Sequence, residues 1–295
     1  MIGLIALDVD GTLLDRRGEI PAENLATLHE AAARGIHLVV VTGRNYPFAL
    51  QALHGLPDPL TVVAYNGAVA RMRDGATLAT RPLARAVARR LLAGTRAWRS
   101  STLVQFDREG PGQTVVDTLS WDQPNRRRYY ERIQHLVQTV DDLESACLDH
   151  DPVQVAFNGR TASMAALTAA LAAEGLTDGV ALSITAYPAR DFTLVDVNAP
   201  GATKGGALAH VAAHYGVAQA EVLAIGDNHN DVDMLQWAGT GIVMGNAEPE
   251  LLALGLPITG SHDDAGLAQA IRKYVLGAGD RGLGAGPAPR TQSQT

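Results

Sequence analysis

The first 80 residues alternate between short, wholly apolar runs and longer segments with one apolar face. Residues 2–7, 37–41 and 61–64 are apolar runs of strand length, and polar residues follow each run. Residues 21–34 place Leu25, Leu28 and Ala32 on one helical face, and residues 45–53 are predicted to form a second helix. Strands that are apolar on both faces and alternate with helices predict a parallel α/β sheet covered on both sides.

The pattern changes after about residue 82 and returns near residue 195. Between these points the sequence predicts an inserted α+β unit with a mostly antiparallel sheet, built from strands near 102–106, 114–118, 153–157, 181–186 and 192–197 and helices near 83–93, 125–140 and 161–173. After it, strands at 221–225 and 241–244 alternate with helices at 204–215, 232–238, 248–254 and 266–275. The predicted organisation is a core of residues 1–82 and 195–276, an insert of 83–194, and a Gly/Pro-rich tail of 277–295 that we expect to be disordered.

Composition and charge narrow the class of protein. The 295 residues are 46% hydrophobic and 19% charged, which is typical of a globular chain with a substantial core. The formal net charge of −7 argues against a nucleic-acid binder, which normally has a basic surface. Cys147 is the only cysteine, so an intrachain disulfide is excluded, and we expect a buried residue in a cytoplasmic protein. The opening apolar run is short and ends in acids, and no run of about 18 apolar residues exists, so we expect neither a signal peptide nor a membrane span.

Polar clusters follow the predicted core strands. They are Asp8-Val9-Asp10-Gly11-Thr12 after the first strand, Thr42-Gly43-Arg44 after the second, Lys204 at the start of a helix, and Gly226-Asp227-Asn228-His229-Asn230-Asp231 after the strand at 221–225. Ligands of open parallel α/β sheets bind beyond the carboxyl ends of the strands. We therefore expect one edge of the sheet to collect clusters that lie about 200 residues apart.

The chemistry of these residues points to a metal and a phosphate. Asp8, Asp10 and Asp227 supply hard oxygen ligands, which suit Mg²⁺, and a divalent cation would relieve the repulsion among converging carboxylates. Lys204, Thr42 and Asn230 supply donors to phosphate oxygens, and Gly11 and Gly43 allow the backbone to come close to a ligand. One carboxylate could attack phosphorus while a second moves a proton.

These clusters resemble a known family. DVDGTLL, TGR, Lys204 and GDNHND are similar, in type and order, to the four motifs of the haloacid dehalogenase (HAD) superfamily, and VLAIGDNHNDVDMLQWAGTGIVMGNA resembles its Cof-type sugar-phosphatase branch. The insert stands where that branch carries its C2 cap. The resemblance implies a Rossmann-like parallel-sheet HAD core with a C2-type cap, and a Mg²⁺-dependent phosphatase that acts on a small phosphorylated metabolite through an aspartyl-phosphate.

The resemblance also implies roles for single residues. Asp8 would be the nucleophile and a metal ligand, and Asp10 the general acid/base that ligates through its backbone carbonyl. Asp227 would be a further ligand, and Asp231 would support the metal waters or Lys204. The phosphoryl group would be bound by Thr42, Lys204, Asn230 and the backbone at Val9 and Gly43, while Arg44 would either reach the substrate or brace the loops.

The sequence is compatible with more than one function. A phosphotransferase or phosphomutase would share this core, and a regulatory protein could keep the pocket without turnover, although the intact Asp8, Asp10, Lys204 and Asp227 argue against the latter. Sugar phosphates are the first candidate substrates, with pyridoxal phosphate, nucleotides and flavin mononucleotide as alternatives. The oligomeric state cannot be read from the sequence. Asn66-Gly67 is predicted to form a turn at the edge of the site, His229 to lie in an exposed loop, and the basic run at 126–130 to form a solvated helix face unless it steers a phosphate.

Overall fold

A seven-stranded sheet forms the first layer of the fold. In this computed structural model, which describes residues 1–118, 120 and 123–277, the strands stand in the order β13-β12-β1-β2-β3-β4-β5. Their bounds are β1 (Leu4–Leu7), β2 (His37–Val41), β3 (Leu60–Ala64), β4 (Val69–Met72), β5 (Thr77–Thr80), β12 (Val222–Gly226) and β13 (Thr240–Val243). The five strands from β13 to β3 pair in parallel, as predicted from their continuous apolar runs.

Helices cover both faces of this sheet. On one face Ile5 and Leu7 pack against α1 (Ala22–Ala33), α2 (Tyr46–Gln51) and α10 (Gly266–Ile271). On the other face Leu4 and Ala6 pack against α7 (Lys204–His214), α8 (Val232–Trp237) and α9 (Pro249–Leu252). Successive side chains of a strand point to opposite faces, so a strand buried on both sides must be apolar at every position.

The hairpin of β4 and β5 was not predicted. These two strands extend the sheet antiparallel from β3, and they join at a turn that contains Gly75. Strand β5 has exposed threonines at both ends and only partly buried residues between them, which is typical of an edge strand rather than of a buried one.

A six-stranded sheet forms the second layer, in the order β10-β11-β9-β6-β7-β8. Its strands are β6 (Thr102–Gln105), β7 (Thr114–Val116), β8 (Val137–Thr139), β9 (Gln154–Gly159), β10 (Ala181–Tyr187) and β11 (Phe192–Asn198). All neighbours pair antiparallel except β7 and β8. The helices of this layer are α3 (Arg85–Gly94), α4 (Pro124–Ile133), α5 (Leu143–Ala146) and α6 (Thr161–Ala173).

One predicted helix of the second layer is wrong in its second half. Residues 125–140 were expected to form a single helix, but α4 ends at Ile133 and β8 pairs in parallel with β7. The β-branched Val137 and Thr139 fit a pleated strand, and Val140 extends the pairing by donating its amide to Val116 O (2.9 Å).

The junction between the two sheets lies near residue 199. Strand β11 continues to Asn198, beyond the predicted boundary at 194/195, because residues 195–197 still pair with β9. The predicted tail of 277–295 lies outside the described residues apart from Gly277. Among the helices that the structure describes, none has both the length and the apolar character that crossing a bilayer requires.

Candidate active site

The first acidic cluster lies in the loop that follows β1. Asp8 is buried, with 5% of its surface exposed, and Gly11 turns the chain at a φ of +90°. A side chain at Gly11 would collide with the Asp227 carboxylate, so glycine is needed for this close approach. Asn246, from the loop after β13, donates to Gly11 O at 2.9 Å and so holds the turn in place.

Lys204 connects two of the predicted acids. Its Nζ is 2.6 Å from Asp8 Oδ1 and 2.6 Å from Asp231 Oδ1, and the residue is only 1% exposed. Burial lowers the pKa of Lys204, but the two carboxylates outweigh burial and raise its pKa above the usual range. Lys204 opens α7, where the helix dipole disfavours a cation, so the paired carboxylates are what stabilise its charge there.

The loop after β12 fixes the remaining acids. Asp231 Oδ2 accepts hydrogen bonds from the backbone amides of Asp227 and Asn228, each at 3.0 Å. Asp227 Oδ1 accepts from Thr12 Oγ1 at 2.9 Å, which joins this loop to the loop after β1. Oxygen atoms of Asp8, Asp227 and Asp231 all lie within 4.8 Å of one another.

The electrostatics of this cluster fit a cation. Burial, followed by the nearby charges of Asp231 and Asp10, raises the pKa of Asp8 to about 7, although Lys204 opposes the shift. Burial and the Asp8 carboxylate likewise raise the pKa of Asp227 well above its usual value. Burial and mutual repulsion therefore make the ionised carboxylates costly even beside Lys204, and a cation would relieve that cost. Their hard oxygen atoms are the ligands that Mg²⁺ prefers.

Asp10 lies two residues from Asp8 in a different environment. Its side chain is 44% exposed and forms a two-point pair with Arg44, whose Nη2 and Nε donate at 2.6 and 2.8 Å. Desolvation raises the pKa of Asp10, but Arg44 outweighs it and holds the pKa below the usual value. Arg44 also stacks on the ring of Phe48, with its Cζ 4.5 Å from the ring centroid.

The predicted phosphate-binding segment follows β2. Thr42 is buried, its amide donates to Val63 O (2.8 Å), and its hydroxyl accepts from the Arg44 amide (3.2 Å). Val9 is likewise buried in the loop after β1. A Cβ on Gly43 would lie 3.1 Å from Asn66 Oδ1, so the backbone at Gly43 packs closely against that side chain.

Asn230 is held by Asn66, for which the sequence predicted only a turn. Asn230 Nδ2 donates to Asn66 Oδ1 at 3.0 Å, and Asn66 has the left-handed φ of +54°. Asn is enriched in this conformation, so the Asn66-Gly67 pair correctly predicted the turn. The contact between Asn66 and Asn230, which are 164 positions apart, could not be predicted from the sequence.

The second sheet faces this edge through the end of β10. The Asn228 side chain accepts from the Ala186 amide at 3.3 Å and donates to Ala186 O at 3.2 Å. Burial raises the pKa of the next residue, Tyr187, and the charges of Asp10, Asp8 and Asp227 raise it further. Tyr187 therefore stands close to the acids, and no local sequence motif marks it.

The model of one protein family covers this whole arrangement. The haloacid dehalogenase-like hydrolase family matches residues 5–271. The chain belongs to this family. The resemblance drawn from the four motifs is therefore confirmed, as is the prediction of a phosphatase-class hydrolase, since the similar proteins bear that name.

These HAD relatives span nearly the whole chain. A putative phosphatase, YxeH, of Bacillus subtilis is 29% identical over 94% of this chain and 99% of its own. An HMP-PP phosphatase of Cronobacter sakazakii is 30% identical over 86% and 88%. The solved structure of BT1666 from Bacteroides thetaiotaomicron, described among phosphatases of the HAD superfamily, has a TM-score of 0.75 at 26% identity and covers 92% of this chain and 94% of its own.

Three further sequence predictions concern Cys147, His229 and the basic run at 126–130. Cys147 is fully buried among the apolar residues of the second layer, and burial raises the pKa of its thiol to about 11, as expected for a core residue. His229 is exposed, as predicted. The expectation of a solvated face at 126–130 is wrong for Arg126, which is buried and donates to Asn158 Oδ1 (2.6 Å) and Ser100 O (3.0 Å).

Proposed function

We propose that this protein is a Mg²⁺-dependent phosphatase that hydrolyses small phosphomonoesters, with sugar phosphates as the first substrate class, through an aspartyl-phosphate on Asp8. The observation that carries the proposal is the buried Asp8–Lys204–Asp231 arrangement, with Asp227 beside it and Asp10 at its open side. A purely structural ion pair would not need a second carboxylate on the lysine and a third beside it, because each extra buried charge costs free energy.

The metal would be held by Asp8, Asp227 and the backbone carbonyl of Asp10, with Asp231 supporting this set from behind. When bound, Mg²⁺ would supply positive charge to the phosphoryl oxygens and to the crowded carboxylates. Lys204 supplies a further fixed positive charge in the same place. Because Lys204 is held by Asp8 and Asp231, it needs no rearrangement to stabilise charge on the transferring group.

Asp8 is assigned the attack on phosphorus. A carboxylate oxygen of Asp8 forms the new P–O bond while the bond to the leaving oxygen breaks, and the product is an acyl phosphate. The amides at Val9 and Gly43, the Thr42 hydroxyl and the Asn230 amide group are assigned to bind the phosphoryl oxygens. Donors held by a rigid sheet edge position the group for in-line transfer.

Asp10 is assigned the proton transfers. It gives a proton to the leaving oxygen in the first step, and it takes one from the attacking water in the second, which returns Asp8 and releases phosphate. The Arg44 pair keeps Asp10 ionised in the substrate-free structure, which suits the base role. An incoming phosphate would compete for Arg44 and add negative charge near Asp10, and both effects raise the pKa of Asp10 toward what an acid needs.

The second sheet is proposed to act as the cap. It would comprise the insert from about residue 83 to the end of β11, joined to the core by the segments near 81–84 and 199–203. Tyr187 and Arg132, whose charge lowers the pKa of Asp10, lie on its side of the site and would contact the leaving group. We extend the proposal to a cytoplasmic enzyme with a small phosphorylated metabolite as its partner.

The test is a panel of phosphorylated compounds assayed with and without Mg²⁺. The panel contains hexose and pentose phosphates, pyridoxal phosphate, nucleotides, flavin mononucleotide and HMP-PP, with Asp8→Asn as the blank. Release of phosphate from at least one sugar phosphate, dependent on both Mg²⁺ and Asp8, supports the proposal. Transfer to a second sugar phosphate without release of phosphate would identify a phosphotransferase, and no turnover on any compound would overturn the proposal.

A further inference from the structure

A buried carboxylate outside the acidic cluster is connected to the site by two amide side chains. Asp196, on β11 of the second sheet, is 5% exposed, and its Oδ2 accepts from Asn66 Nδ2 at 2.8 Å. Asn66 is fully buried, and its Oδ1 accepts from Asn230 Nδ2 at 3.0 Å. The chain of hydrogen bonds therefore runs from the second sheet, through the turn after β3, to the loop that carries Asp227 and Asp231.

Asn66 is the point where three parts of the site meet. Its amide donates to Thr42 O at 3.0 Å, and its side chain packs against the backbone of Gly43. Asn66 thus touches both the segment after β2 and the segment after β12. A change in the orientation of this one side chain would disturb two of the groups assigned to phosphate.

The carboxylate at the end of the chain gives the hydrogen bonds a direction. An ionised carboxylate only accepts, whereas an amide side chain donates from nitrogen and accepts at oxygen. When ionised, Asp196 therefore draws the NH₂ group of Asn66 toward itself and leaves the Asn66 oxygen for Asn230. Asn230 must then turn its own NH₂ group toward Asn66, and the second hydrogen of that group is available to a phosphate oxygen.

We propose that Asp196 is a positioning residue, which holds Asn66 and through it Asn230 in the orientation that presents an amide hydrogen to the phosphate. This inference rests on the proposed function. It assigns work to a group that costs free energy to bury, because an ionised carboxyl with an amide partner loses more hydration than one hydrogen bond returns. Burial raises the pKa of Asp196 to about 7, in accord with that cost.

The test measures binding of inorganic phosphate at pH 8, where the Asp196 carboxyl is mostly ionised, in the presence of Mg²⁺. Calorimetry is used because it does not require turnover. Asp196→Asn keeps the size of the side chain but lets Asn66 turn over, because the new amide can donate as well as accept. We expect the dissociation constant for phosphate to rise about tenfold, the size of one hydrogen bond to a charged group. Asn230→Ala should weaken binding by at least as much.

The double variant decides between positioning and mere proximity. If Asp196 acts through Asn230, Asp196→Asn should change phosphate binding by less than about twofold in the Asn230→Ala background. Effects that multiply, or a single variant Asp196→Asn that binds phosphate like the wild type, would overturn the inference while leaving the phosphatase proposal intact. A wild-type protein that bound no phosphate would overturn both.

Asn198→Ala is the matched control. Asn198 is buried on the same strand, two residues further on, but its Nδ2 donates to Tyr65 O (3.0 Å) and Val153 O (3.0 Å) rather than to the Asn66 side chain. We expect this variant to lower the melting temperature and to change phosphate binding less than Asp196→Asn does. If it weakened phosphate binding as strongly, the effect would belong to the turn as a whole, and the inference would fail.

Discussion

The two sheets of this molecule contribute to the site in different ways. The first sheet brings Asp8 and Asp227 together, because they follow the neighbouring parallel strands β1 and β12, whose ends meet at one edge. The second sheet contributes Ala186, Tyr187 and Asp196, each through a contact that depends on how one side chain or one strand end is placed. The topology of the first sheet therefore determines which of its residues lie at the site. For the second sheet, the contacts of individual side chains determine this.

The largest effect should come from the proposed nucleophile on the first sheet. Asp8→Asn removes the attacking anion with little change in volume, so turnover should fall to the background rate of the assay while phosphate esters still bind. Steady-state assays and calorimetry measure the two quantities. Asp141→Asn, at an exposed acid of the second layer, is the control and should behave like the wild type. Near-normal turnover by Asp8→Asn would mean that water attacks directly.

Removal of the metal should have an effect of similar size. Chelation should abolish turnover, and Mg²⁺ should restore it better than Ca²⁺, whose longer bonds and higher coordination number would misplace the carboxylate of Asp8. Activity is measured after dialysis against chelator and again after titration with each ion. Full activity in excess chelator would contradict a metal role for Asp8, Asp227 and Asp231.

Asp10 should have a smaller effect than Asp8, because Asp10→Asn keeps the backbone carbonyl. The variant weakens the pair with Arg44 and loses proton transfer. That loss is worth about 10²- to 10⁴-fold in rate. With a nitrophenyl phosphate the first step needs little acid, so the variant should accumulate phosphate on Asp8. An acid quench followed by intact-mass measurement would show the adduct, and Asp8→Asn should lack it. Full turnover of a sugar phosphate by Asp10→Asn would exclude this role.

On the second sheet, Tyr187→Phe should change selectivity more than rate. The variant keeps the ring and removes a hydroxyl that would face the leaving group. For substrates whose leaving group forms a hydrogen bond with this hydroxyl, kcat/KM should fall by up to about tenfold. Nitrophenyl phosphate, which lacks sugar hydroxyls, should be little affected. The ratio of the two kcat/KM values is the measurement. An equal fall for every substrate would place Tyr187 in the chemical step instead.

The same division explains what could be predicted from the sequence. Asp8, Lys204 and Asp227 were identified as site residues because each follows or adjoins an element with a clear apolar pattern, and the sheet does the rest. For Asn66 the sequence predicted only a turn. Asp196 lies within a mostly apolar strand, where no motif marks it as a site residue. Their contact spans 130 positions and two sheets, and no periodicity encodes such a pairing. The hydrogen bonds of Asn228 to Ala186 escaped prediction for the same reason.

The last prediction concerns stability rather than activity, and its sign separates Asp196 from an ordinary structural residue. Burial raises the pKa of Asp196 from 3.8 to about 7, so between these values the folded protein holds a proton that the unfolded chain releases. Stability therefore falls as the pH rises through this window, and the full cost is present above pH 7. Since one pKa unit corresponds to about 1.4 kcal/mol, this cost is at most roughly 4 kcal/mol.

Asp196→Asn removes that cost, so the variant should be more stable than the wild type at pH 8 and lose most of its advantage at pH 5. Urea unfolding at the two pH values, at constant ionic strength, measures the difference. The control, Asn198→Ala, changes no titratable group, so its effect on stability should be the same at both. Destabilisation by Asp196→Asn at pH 8 would mean that the carboxylate strengthens the fold. A gain in stability together with weaker phosphate binding is instead what a residue kept for function should give, because the fold would be more stable without its charge.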